Sequence, residues 1–308
     1  MQRSGAVVAL GLLVSACAST PDVTIAYYPA KSLTTFQVTE NVACTQDEMK
    51  LIATNAVTAA TEYSADTSAP ARHLRLKALD NDFADAALSV ELFGDGRLKA
   101  INASSTGEGQ AVITAAAGLA GTMGPMLGMG PQRPRKLPIC AVLKNWAGGK
   151  ATLTFVKSFD LAQVPSASSH VLNDEEAAVS DPGLYEQIAD VLPRVTFSIG
   201  DKTPVPRPAA YVSDNADSAL ALALRDTSTV RLDFDSDGHW LGAKTLTIPG
   251  PGDYVLPIPK AALFGGQTFS IALSESGAVT SLSYGKTSGA AAAIGSATAV
   301  ATTVTPSP

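Results

Sequence analysis

Short runs in which apolar residues alternate with polar ones recur along the chain, and this period of two constrains the fold more than any other feature. Leu88-Ser89-Val90-Glu91-Leu92 alternates without a break, Gly94-Asp95-Gly96 supplies turn residues, and Leu98 to Ile101 returns. That is a β-hairpin: side chains two apart share a strand face, and Gly and Asp tolerate the backbone of a tight turn. Val23 to Tyr27, Leu33 to Val42, Thr152 to Val156 and Val195 to Ile199 have the same β-type composition. So do Val230 to Phe234, Leu246 to Ile248 and Tyr254 to Ile258, separated by turn residues at a spacing typical of sandwiches. Leu51 to Tyr63 reads two ways, as its Thr and Val favour a strand, while its Ala and the preceding Asp47-Glu48 favour a helix. One helix is clear. Asp181 is placed to cap it, Pro182 takes its first position, Leu184, Ile188 and Val191 follow at helical spacing, and Pro193 stops it. The expected fold class is α+β, mostly β.

A weak internal repeat suggests how the strands are organised. Shifting the chain by 181 positions lays Leu88, Val90, Leu92, Gly96, Leu98 and Ile101 on Phe269, Ile271, Leu273, Gly277, Val279 and Leu282. Each hairpin is followed by Thr106 or Thr287 and then by an Ala-rich run, Ala111 to Gly121 or Ala290 to Ala301. The order predicts two tandem β-rich modules, residues 22–150 and 195–308, sandwich-like or built as a sheet with a packed small-residue helix. Residues 151–194 would hold a connecting strand, the polar linker Ser166 to Ser180 and the helix, and the second module would end in a Thr/Pro/Ser tail. Ala111 to Gly130 carries no charge and is rich in Ala, Gly and Met. A small-residue helix over Gln110 to Gly121 packed on a sheet is the expectation there, with contact to a membrane as the alternative. Pro131 to Pro138 reads as a basic, proline-punctuated connector.

Composition narrows the partners. The chain has 308 residues, 46% hydrophobic and only 16% charged, with a formal net charge of −6. That leaves ample apolar material for a core and argues against nucleic acid, whose phosphates call for a basic surface. Between Glu108 and Asp160 the only charges are positive, on Arg133, Arg135, Lys136, Lys144, Lys150 and Lys157. Such a stretch could face anionic lipid or polysaccharide, or simply be solvated loops balanced by acids elsewhere.

The amino terminus carries an address. Arg3 gives a positive start, Gly5 to Val14 is an uncharged apolar run too short to span a bilayer, and Val14-Ser15-Ala16 precede Cys17. This arrangement resembles the lipobox signal of bacterial lipoproteins. The resemblance covers residues 1–17 alone. It implies a signal peptide over 1–16, removed on export, and a lipid-bearing Cys17 (palmitate or a similar acyl chain) followed by a lipidated tether over 17–21. Ala18, rather than Asp, follows the cysteine. In the family this points to the outer membrane, with the chain on its periplasmic face.

With Cys17 acylated, Cys44 and Cys140 remain in an oxidising compartment, where a disulfide between them is the expected state. Two buried free thiols are the alternative.

Motifs that would carry chemistry are weak. Asp233, Asp235, Asp237 and Gly238 spell the opening of a calcium loop, but the position that should supply a bidentate carboxylate is Lys244. A solvated hairpin turn is the better reading, and no metal or cofactor is expected. Ser283-Tyr284-Gly285-Lys286 has the spacing of a serine–lysine nucleophile but falls in a return strand rather than at a helix start. His73, His170 and His239 lack a second ligand at metal spacing. Carboxylate pairs such as Asp80 with Asp82, or Glu175 with Glu176, lie in polar stretches. No catalytic residue stands out. The expected function is a binding or assembly component of the cell envelope, held by its anchor and engaging an envelope protein or polysaccharide. The alternative is an anchored hydrolase of envelope glycan or lipid, which would need two carboxylates brought together by the fold.

Overall fold

The computed structural model describes residues 23–45, 50–75, 86–105, 126–129, 133–134, 138–207, 219–259 and 267–286. Over these residues the chain is mostly β with a minor helical part, in several antiparallel sheets, none of them closed into a barrel among the described residues. It opens with β1 (Thr24–Tyr27), two long strands β2 (Ala30–Cys44) and β3 (Lys50–Ala65), and the short β4 (Arg72–Arg75). A hairpin of β5 (Ala86–Leu92) and β6 (Leu98–Ser105) follows, then β7 (Met126–Met129), β8 (Arg133–Pro134), α1 (Pro138–Ala147) and β9 (Lys150–Phe159). Next come β10 (Ser169–Val171), β11 (Ala178–Val179), α2 (Pro182–Ile188), β12 (Val195–Ile199) and β13 (Thr203–Pro204). Two very long strands, β14 (Ala219–Ser236) and β15 (His239–Pro259), lead to a last hairpin, β16 (Gln267–Leu273) and β17 (Val279–Lys286).

Burial along β2 alternates residue by residue from Ala30 to Val42, which is what a half-buried strand requires. β2 is flanked by β3 and β9 in a sheet ordered β11-β9-β2-β3-β7, with β8 also on β3. A second sheet runs β10-β12-β14-β13, with β15 on β14. The two face each other as a sandwich. Phe36 of β2 stacks on Phe197 of β12 at 4.6 Å between ring centroids and meets Phe234 of β14 edge-on at 5.9 Å. Val38, Val57, Leu153, Phe155, Val230 and Leu232 complete the same core, all fully buried. Leu143 of α1 with Leu184 and Ile188 of α2 join it. Asp181 caps α2 as its sequence indicated, its carboxylate accepting from Leu184 N at 3.0 Å.

A smaller core lies at the other end of the β14–β15 ribbon. Leu222, Leu224, Leu256 and Ile258 pack there against Leu98, Ile101, Phe269 and Ile271, closed by Tyr27 and Leu74. Its cover is a four-stranded sheet ordered β17-β16-β6-β5, in which the two hairpins lie side by side through β6 and β16. The hairpins share their detail. Each has a register break at the same place, Glu91/Leu92 in one and Ala272/Leu273 in the other. Each turn closes with the same pair of backbone bonds, Phe93 N to Arg97 O with Gly96 N to Phe93 O, and Ser274 N to Ala278 O with Gly277 N to Ser274 O. Gly96 and Gly277 both take positive φ, 89° and 84°, where a side chain would be strained. The Ala-rich segments that follow each hairpin lie outside the described residues. Both cores and the four-stranded sheet draw strands from each half of the chain, whereas the β10-β12-β14-β13 sheet with β15 comes from the second half alone.

Several readings of the sequence come out differently. Leu51 to Tyr63, left open between strand and helix, is strand throughout. Met126–Met129 pairs with β3, whereas most of Ala111 to Gly130 lies outside the described residues. The connector expected to reach Pro138 gives way there to α1, which carries Cys140. Ser166 to Ser180 holds β10 and β11 and buries Leu172, Asn173 and Ala177, so it is not a free linker. Leu246 to Ile248 and Tyr254 to Ile258 belong to one strand, because Pro249-Gly250-Pro251-Gly252 bulges instead of turning. Thr227 pairs with Pro249 and Arg225 with Asp253, so the bulge puts two extra residues into β15. An even number preserves the alternation, and the same face of the ribbon continues into the second core. The glycines admit Asp226: a Cβ on Gly250 would lie 3.2 Å from its carbonyl oxygen, and one on Gly252 2.7 Å from Oδ2.

Candidate functional site

Cys44 and Cys140 are bonded, joining the end of β2 to the first turn of α1 with Cα atoms 5.8 Å apart. Cys17 lies outside the described residues, as do Asp80, Asp82, Arg135 and Lys136. The acidic motif is the β14–β15 connection. Asp237 and Gly238, with φ 48° and 85°, form the two-residue turn between Ser236 and His239. Its carboxylates bind the protein: Asp233 pairs with Arg231, Asp235 accepts from Gly238 N at 2.6 Å, and Asp237 accepts from Arg194 N at 3.0 Å. Ser283 and Lys286 sit on β17, and His73, His170 and His239 on β4, β10 and the start of β15. Of the basic stretch, Lys157 bridges Asp174 and Glu176 at 2.8 and 3.0 Å.

Two constellations emerge that sequence reasoning missed. The first is a small, half-open cleft of about 20 Å³ where β1, β4, the two hairpin turns and the β14–β15 ribbon meet. Tyr27, Tyr28 and Phe93 wall it, and Arg72, Arg97 and Arg225 reach into it. Arg225 donates to Asp66 at 2.7 Å and to Ala30 O at 3.1 Å. Arg72 bridges Ala223 O and Asp253. Arg97 bonds Asp95 at 2.7 Å and the Glu275 carbonyl, with its guanidinium 4.7 Å above the Phe93 ring. Bonds from Ser68 and Arg225 hold the Asp66 carboxyl down at about 2. Burial pushes the Tyr27 phenol, which donates to Ala223 O at 2.8 Å, up to about 12. Each guanidinium is engaged with an internal acceptor, so the network fastens the small core's cover to the ribbon.

The second constellation is buried inside the sandwich. Glu40 is wholly inaccessible and faces the core in the same register as Phe36, Val38 and Val42. Its Oε1 accepts from Asn173 Nδ2 at 2.6 Å. Asn173 also donates to Pro193 O at 2.7 Å and accepts from Val195 N at 2.9 Å, fixing its amide by three bonds. Asn55, directly opposite Glu40 on β3, donates to Ser236 Oγ on the facing sheet at 2.7 Å. Burial, with Asp237 adding repulsion, pushes the Glu40 carboxyl up to about 8 despite the Asn173 bond. The signal was present in the sequence as a charge standing on the apolar parity of β2. Nothing local could name its partners, which lie 15 to 196 positions further along the chain or across the other sheet.

The fold thus defines a mostly-β, α+β sandwich with an appended four-stranded sheet, a disulfide, and a buried polar cluster. No family model, curated protein or solved structure matches the chain.

Proposed function

We propose that the chain is an outer-membrane lipoprotein, anchored through Cys17 on the periplasmic face, that serves as a binding or assembly component of the envelope. The observation that carries this reading is the Cys44–Cys140 bond. Disulfides form and persist in oxidising compartments, which fits export directed by the Val14-Ser15-Ala16-Cys17 signal. Binding is favoured by the surface on offer. Among the described residues β15 pairs on one side only, with β14, and Trp240 and Val255 on it are 68% and 58% exposed. Unpaired strand edges and exposed apolar side chains are the features through which β-proteins take up partners.

Two measurements test this. Metabolic labelling with an alkyne fatty acid should mark the wild-type chain and not Cys17→Ser, which should also leave the membrane fraction; undiminished labelling of that variant overturns the anchor. Photo-crosslinking residues placed at Trp240 and Val255 should capture one defined envelope component in intact cells. No adduct at either position, or turnover of envelope glycan or lipid by the purified chain, overturns the binding role.

A further inference from the structure

We infer that Glu40 is a neutral carboxylic acid in the folded protein, and that its proton, donated from Oε2 to the side-chain carbonyl of Asn55 on the neighbouring strand, joins the Asn173 and Ser236 contacts into one pH-dependent latch. The argument is one of unpaired acceptors. Glu40 Oε2 and Asn55 Oδ1 are both buried and both lack a partner. They belong to residues directly opposed in the β2–β3 ladder, on the inward face, where side chains of opposed residues meet. Two acceptors cannot satisfy each other, and leaving both bare is costly in an interior of low dielectric. One proton on Oε2 satisfies both.

The remaining bonds already have their direction. Glu40 Oε1 takes the Asn173 amide hydrogen, and Asn55 Nδ2 gives its own to Ser236 Oγ. The acid therefore completes a chain from the 173 segment through β2 and β3 to the tip of β14, across both sheets. The charged and titratable groups around it oppose ionisation. Asp237, in the turn beside Ser236, raises the carboxyl, and on α2 the Tyr185 phenol is raised by burial first and then by Asp174, Glu175 and Glu40. No cation among the described residues is paired with Glu40. An ionised Glu40 would sit beside an amide oxygen and an aspartate, with no counter-ion.

The sign follows. The folded chain keeps a proton that the unfolded chain gives up at an ordinary glutamate pKa. The stabilisation is therefore complete at and below that pKa, and is lost progressively as pH rises through neutrality to the folded value. Between about pH 5 and about pH 8 the unfolding equilibrium should shift by roughly tenfold per pH unit on account of this one group.

Glu40→Gln is the test, because its amide keeps an oxygen for Asn173 and supplies a permanent donor to Asn55. Urea midpoints of the wild type should fall from pH 5 to pH 9, and those of E40Q should stay flat over that range by comparison. Equal pH dependence in the two proteins overturns the latch. A measurement on the wild type removes reliance on the variant: carboxyl ¹³C shifts of glutamate-labelled protein should show one resonance still protonated at pH 7. All glutamates titrating below pH 6 in the folded chain would equally overturn it.

Discussion

Two carboxyl groups, Glu40 and Asp66, show how far one side chain's surroundings can move it in either direction. Glu40 is walled in by apolar neighbours with a single amide donor, so its neutral form is favoured. Asp66 receives Ser68 Oγ and the Arg225 guanidinium, so its charged form is favoured. Their effects on stability are opposite in sign. Asp66 contributes fully above its unfolded pKa near 4, and that contribution is lost as pH falls toward 2. The Glu40 contribution is lost as pH rises. The denaturation midpoint should therefore peak between about pH 4 and 5 as far as these two groups decide it. Asp66→Asn should flatten the acid side of that profile and cost roughly 2 kcal/mol at neutral pH. A profile measured by urea titration from pH 2 to 9 checks both statements; an acid limb unchanged in D66N would show that Arg225 draws little from this partner.

At the scale of elements, turn chemistry explains both what was legible and what was not. Asp237-Gly238 and the glycines of the two hairpin turns act locally, because positive φ is a property of one residue and its neighbours. Gly96 and Gly277 occupy the same place in their turns, with the same backbone bonds, so replacing either should cost the same. Gly96→Ala and Gly277→Ala should each lose about 1–2 kcal/mol, measured by thermal or chemical melting of the full chain. A loss at one position only would mean that the turns are alike in shape but not in how firmly they are held. Pro249-Gly250-Pro251-Gly252 carries stronger turn signals than either hairpin, yet it bulges. Its neighbours decide that, since Asp226 lies against it and Arg207 pairs with Asp226 at 2.8 Å. A local signal was overridden by a cross-strand partner more than twenty residues earlier in the chain.

Across the whole molecule, the β14–β15 ribbon is the axis, serving one core at its turn and the other at its open end. Sheet partners are far apart in sequence, with β2 on β9 and β6 on β16, so folding has to close long loops before those contacts are rewarded. The disulfide acts on that cost. It spans 96 positions and should restrict the unfolded chain by about 4–5 kcal/mol on the chain-entropy account. Reduction should lower the urea midpoint by an amount consistent with that loss. Non-reducing electrophoresis should show a compact form that reduction slows. Cys44 and Cys140 both alkylatable in the denatured, unreduced chain would contradict the bond. The bridge also sits at the end of β2 that holds Glu40, so covalent and protonic ties secure the same end of the sandwich.

The sequence by itself determined whatever depends on a few adjacent residues. The period of two in β2 and the hairpins, the Asp181-Pro182 start of α2, the Asp237-Gly238 turn and the pairing of the last two cysteines were all readable there. Each follows from backbone geometry, from side-chain direction or, for the cysteines, from the one pairing left if Cys17 bears the lipid that the signal implies. Tertiary structure alone decided which strands became neighbours, that residues 51–63 were strand, and that α1 would form around Cys140. It also decided that Glu40 would meet Asn173, with Asn55 opposite it and Ser236 beyond. Alternation told which face Glu40 would take. It could not tell what waited there, because a strand's pattern fixes the direction of its side chains and carries no information about the distant segments that pack against them.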